Sequence, residues 1–164
     1  MPTHFRIQSL DPAPWAQLLQ ASDEVLHRAG AARVIADRRP GYPCRVSLQD
    51  AEPGESLLLV PFAHQPGDTP YRASGPVYLR ERAQPLRCRV DEVPAVLHSR
   101  KLSVRAYDGR DWLIAAEVCE GTALEEAIEA QFGNPAVRYL HIHFAGPGCF
   151  ACRVDRTDAL ERVA

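Results

Sequence analysis

Proline and glycine separate the apolar segments of this chain into short, strand-like runs. Fourteen prolines and ten glycines fall between short apolar segments, and each proline fixes φ and removes a backbone donor. "ARVIAD", "CRVSL", "SLLLVPF" and "GPVYLRE" are rich in branched residues and bounded by these breakers, which marks them as short strands. "HFRIQSL" alternates Phe5 and Ile7 with Arg6 and Gln8, the two-residue period of a half-buried strand. Strands that follow one another through short turns pair antiparallel. The expected fold is therefore α+β: a single domain over residues 1–164, mainly antiparallel β-sheet, with two or three helices packed on one side.

Helix signals are few. "DPAPWAQLLQ" opens with Asp11 at a cap and Pro12 in the first turn, and "SDEVLHRAG" places Ser22 before a short helix and Gly30 after it. The best helix follows Thr122 and Glu125, spaced as a capping box, with Leu124, Ala127, Ile128 and Phe132 on one face. Gly133-Asn134-Pro135 ends it. "KLSVRAYDGRDWLIAAEVC" reads as a hairpin turning at Asp108-Gly109.

Composition narrows the function classes. A formal charge of -2 with both signs scattered offers no footprint for nucleic acid. No apolar run is long enough to span a bilayer, so no membrane partner is expected. The start, "MPTHFRIQSL", lacks the charged head and apolar stretch of a secretory signal. Cys44, Cys88, Cys119, Cys149 and Cys152 are an odd set without the spacing of a disulfide framework. The expectation is a cytoplasmic protein with reduced thiols and no cofactor. Phosphate-cradling loops, zinc-protease helices and serine-hydrolase elbows are absent from the sequence.

Two polar clusters remain. "YLHIHFAGPGCFACRVDR" brings two histidines and two cysteines close together, and His141 and His143 share a face if this is a strand. A four-residue loop, Ala145 to Gly148, sets Phe144 opposite Cys149. Strict alternation then puts Ile142, Phe144, Cys149 and Ala151 on the core face and His141, His143, Phe150 and Cys152 on the other. That sorting leaves three metal-ligand candidates, His141, His143 and Cys152, one short of a closed structural zinc site. The expectation is a hairpin with no bound metal.

"RRPGYPCRVSL" is the second cluster. Its prolines stiffen a loop that presents Cys44 and Arg45 together, and a guanidinium grips carboxylate or phosphate through two parallel bonds. "HQPGDTPYRASGPVYLRE" has the same texture, with His64, Tyr71, Arg72 and Ser74 around a constrained backbone.

"PGYPCRVSL", "PYRASGPVYLRE" and "GCFACRVDR" resemble the shared segments of a bacterial domain-of-unknown-function family. The resemblance runs from "FRIQSL" to Arg156. It implies one small bacterial domain and carries no catalytic assignment.

No motif defines a reaction, so catalysis and simple binding both stand at this point. The first reading is an anionic small-molecule site in which Arg45, Tyr71, Arg72 and Ser74 bind the ligand. Cys44 is its candidate nucleophile and His64 its candidate base. The alternative is a non-catalytic homodimer or protein-interaction module. A metal-binding hairpin is the third.

Overall fold

The structure, a computed structural model, describes residues 3–157. The elements run β1 (His4–Gln8), a 3₁₀ turn leading into α1 (Ala16–Leu19), α2 (Asp23–Arg28), β2 (Ala32–Ile35), β3 (Ser56–Gln65) and β4 (Ala73–Arg80). The chain continues through α3 (Ala95–His98), β5 (Lys101–Tyr107), β6 (Leu113–Glu120), α4 (Leu124–Phe132), β7 (Tyr139–Phe144) and β8 (Phe150–Thr157). All named strand pairs are antiparallel, in two sheets: five strands in the order β1-β8-β7-β5-β6, and three in the order β2-β3-β4. The fold is the α+β domain expected, with its strands divided between two sheets.

The larger sheet owes its stability to one face. Leu102, Val104, Ala106, Leu140, Ile142, Cys152 and Val154 join Leu124, Ile128 and Phe132 of α4 in the main core. The helix forms where expected and buries the expected face. Its N-terminus differs: a 3₁₀ turn over Gly121–Ala123 precedes it, and the capping position, Ala123, makes no side-chain bond. A Cβ on Gly121 would lie 1.9 Å from the carbonyl oxygen of Leu97, so close packing against α3 explains the glycine. Ser22 caps α2 as expected, accepting from the Val25 amide at 3.4 Å.

Three local expectations are corrected. "CRVSL" is not a strand. Residues 43–50 form a tight loop in which Pro43 bridges Asp50 and Cys44 bridges Tyr78 of β4, and Leu48 takes φ 50°. The hairpin between β5 and β6 takes its positive φ at Asp111, at 62°, while the Asp108 carboxylate accepts from the amides of Arg110 and Trp112. In the last hairpin, Phe144 faces Cys149 as expected, through an amide-to-carbonyl bond of 2.9 Å. A bulge then shifts the register, so His143 pairs with Phe150 and Ile142 with Cys152. The extra residue, Ala151, reverses the parity assumed from the sequence.

Candidate functional site

A cleft of about 910 Å³ opens where the two sheets meet. Its walls are the proline-rich loop around Pro40 and Pro43, the Ser74-Gly75-Pro76 stretch of β4, and the turn from Gly146 to Cys149. Arg45 lies in its wall and His64 beside it.

The loop that carries Arg45 is pinned from several sides. The Asp50 carboxylate accepts from the Gly41 amide at 3.2 Å and from both terminal nitrogens of Arg100, at 3.0 and 2.6 Å. Burial alone would push Asp50 up, but the Arg100 and Gly41 bonds outweigh it and leave its pKa below the usual carboxylate value. Arg45 itself donates from its amide to Tyr78 and accepts at its carbonyl from Leu10, which fixes it between β4 and the segment after β1.

The Arg45 side chain is 2% exposed. Its Nε donates to the Phe150 carbonyl at 2.8 Å, one terminal nitrogen to the Pro43 carbonyl at 2.5 Å, and the other to Cys149 Sγ at 3.1 Å. Among the described residues no carboxylate lies within ion-pair distance of it. The nearest comparison is Arg100, which has Asp50. Both guanidiniums sit over the Phe144 ring, at 5.0 and 5.2 Å from its centre. Burial pulls the Arg45 pKa down, and Cys149 opposes that shift.

Behind the cleft stand three imidazoles. His64 of β3 packs 4.9 Å from His143 and 6.1 Å from His141, ring centre to ring centre, with Phe150 stacked against His64. His143 Nδ1 donates to the Gly148 carbonyl at 2.9 Å. Among the described residues, His143 Nε2, His141 Nδ1 and His64 Nδ1 are buried without a hydrogen-bond partner. Burial lowers His141 to about 3, with His143 and His64 adding to the effect. It lowers His143 to about 4 against the opposing Gly148 bond, and His64 is lowered by burial and by Arg105. All three are neutral near pH 7.

The sequence candidates separate on this map. Arg45, His64 and Ser74 line the cleft. Cys44 is buried below it, and its sulfur accepts from the amides of Arg80 at 3.3 Å and Ser47 at 3.5 Å, a packing role. Tyr71 and Arg72 stand outside the cleft wall. Their loop is fastened to the hairpin between β5 and β6, with Thr69 Oγ1 donating to the Asp111 carbonyl and Tyr71 against Trp112. The proposed patch of His141, His143 and Cys152 is corrected by the bulge, which buries Cys152 in the main core beside Ile142. Among the described residues no group of three or more His, Cys, Asp or Glu is arranged to hold a metal ion.

Sequence reasoning missed Cys149 and Arg100 as cleft residues and His64 as the third imidazole. Cys149 was expected on the core face and does pack, partly buried, against the main core; that it also lines the cleft was signalled only by the Gly-Pro-Gly turn beside it.

Compared with known proteins, residues 41–156 match the profile of a family described as protein of unknown function, DUF1203. No curated protein and no solved structure matches the chain.

Proposed function

The chain belongs to the DUF1203 family, and we propose that it binds an anionic small molecule, a carboxylate or a phosphate ester, in the cleft between its two sheets. One observation carries this reading: a buried guanidinium faces the cleft with two carbonyls and a thiol as its partners and, among the described residues, no carboxylate. An uncompensated buried charge costs several kcal/mol, and an anion in the cleft supplies the missing counter-charge. Arg45 holds the charge, Ser74 offers a hydroxyl on the facing wall, and His64 offers a neutral imidazole. The proline-rich loop holds this arrangement before ligand arrives, which lowers the ordering cost of binding.

A thermal-shift screen with small carboxylates and phosphates tests the reading. An anion at a hundred times its dissociation constant raises stability by about 2.7 kcal/mol. Arg45→Met abolishes that response. Gly75→Phe is the second variant, since a Cβ there meets nothing within 4 Å and a ring would fill the cleft. If no anion stabilises the protein, or both variants respond like the parent, the reading fails.

The interaction-module alternative has its own support in β6, an edge of the larger sheet with Ile114 and Val118 exposed. A concentration-dependent dimer broken by Val118→Lys would favour it.

A further inference from the structure

We propose that Cys149 is a nucleophile which attacks an electrophilic carbon carried by the anion that Arg45 holds. This rests on the anion-binding reading above and adds chemistry to it.

The five free cysteines are not equivalent. Cys44, Cys88 and Cys152 are buried. Burial pushes Cys88 up to about 11 and raises Cys152 further. Cys119 is raised by burial and by the carboxylates of Glu117 and Glu120. Cys149 alone lines the cleft, and its neighbouring charge is positive. A thiol is useful to a reaction where it can be reached and where cationic groups surround it.

Position supports the same assignment. The Gly148 amide donates to the Phe144 carbonyl at 2.8 Å, and the Phe144 amide donates to the Cys149 carbonyl at 2.9 Å. His143 holds the Gly148 carbonyl from below, while Arg45 Nε holds the Phe150 carbonyl just beyond. Cys149 is thus gripped on both sides, so its sulfur has a fixed place. Gly148 takes φ 78°, which lets the chain turn there.

The guanidinium has donors to spare. It offers five N–H groups, and three hydrogen bonds engage it among the described residues. The remainder can take a ligand carboxylate beside the sulfur. A second polar group lines the same cleft: among the described residues His64 Nδ1 is buried with no hydrogen-bond partner, and its neutral imidazole can present an N–H to an anion. An anion bound at Arg45 carries its neighbouring carbon to Cys149, and such placement turns an encounter between two molecules into a step within one complex.

Iodoacetate reproduces this step. The sulfur electron pair forms the S–C bond, the C–I bond breaks, iodide leaves with its electrons, and the thiol proton passes to solvent. Iodoacetamide has the same shape and leaving group without the charge. In the folded protein, mapped by peptide mass, Cys149 reacts faster with iodoacetate than with iodoacetamide, by about tenfold relative to a free small thiol, equivalent to about 1.4 kcal/mol. Added salt reduces the preference, and Arg45→Gln removes it. Should Arg45→Gln not fold, protection of the parent by an unreactive stabilising anion gives the same answer.

Equal rates for the two reagents at Cys149, or a preference that survives both Arg45→Gln and the competing anion, would overturn the proposal. Anion stabilisation with an inert Cys149 removes the nucleophile and leaves the binding site standing. Rapid labelling without charge preference and without anion stabilisation removes both.

Discussion

The two faces of the larger sheet are made by the same strands and solve opposite problems. Toward α4, β5 and β7 present Leu102, Val104, Ala106, Leu140 and Ile142, all fully buried in an aliphatic core. Toward the smaller sheet the alternate residues are Ser103, Arg105 and Tyr107, then Tyr139, His141 and His143. That face is also largely closed, yet among the described residues it holds imidazole nitrogens without partners and an arginine whose Nε donates to Ser103 Oγ. Each unsatisfied buried group costs about 1–3 kcal/mol. One face therefore supplies stability, and the other carries costly polar groups, the arrangement that the proposed anion site would use.

The largest test of that contrast is truncation on the dry face. Leu140→Ala should destabilise by about 2–5 kcal/mol in denaturant unfolding, while leaving the anion response per folded molecule unchanged. His141→Leu, one residue along, removes an unsatisfied nitrogen and should cost less than about 1.5 kcal/mol or even stabilise. If the two variants cost the same, the faces do not differ in the way described.

The next effect comes from pH. His141 and His143 sit below their unfolded value, so the unfolded chain binds more protons between the two pKa values. Stability then rises with pH in this window and falls as pH drops from about 6.5 toward 4, by about 1.4 kcal/mol per pH unit for each histidine. Unfolding at pH 6.5 and pH 4.5 measures the slope, and His141→Gln combined with His143→Asn should flatten it. An unchanged slope would show that other groups drive the acid sensitivity.

Two smaller effects concern the cleft. Ser74→Ala should weaken binding of a stabilising anion by about 0.5–1.5 kcal/mol, the value of one hydrogen bond, measurable as a shifted titration midpoint. Arg72→Ala should change stability by no more than about 0.5 kcal/mol and leave the titration in place. A lost response in Arg72→Ala would extend the site to the loop beside Trp112, beyond the cleft wall.

Much of the architecture was legible because it depends on short-range signals. Alternation in "HFRIQSL", the apolar face of α4 and the breakers between strands each act within a few residues. Arg45 could be singled out because prolines beside it imply a fixed loop. What the sequence concealed was set by register and distance. A single bulge at Ala151 moved Cys152 from the histidine face to the core, and alternation alone does not reveal where a bulge falls. His64 joins His141 and His143 only when the two sheets meet, so no spacing in the chain could announce the cluster. Likewise "CRVSL" has strand composition, yet the Pro43–Asp50 bridge closes it into a loop.

The pairing of β1 with β8, His4 against Thr157 through Gln8 against Arg153, has a consequence during synthesis. The smaller sheet uses β2, β3 and β4 alone, so it can assemble while the rest of the chain is still being made. The larger sheet cannot. Its first strand waits on the ribosome for β8, the last to emerge, and contacts of such long separation form slowly. Until then Phe5 and Ile7 lack the strand against which they pack, and transiently exposed apolar residues of this kind favour aggregation.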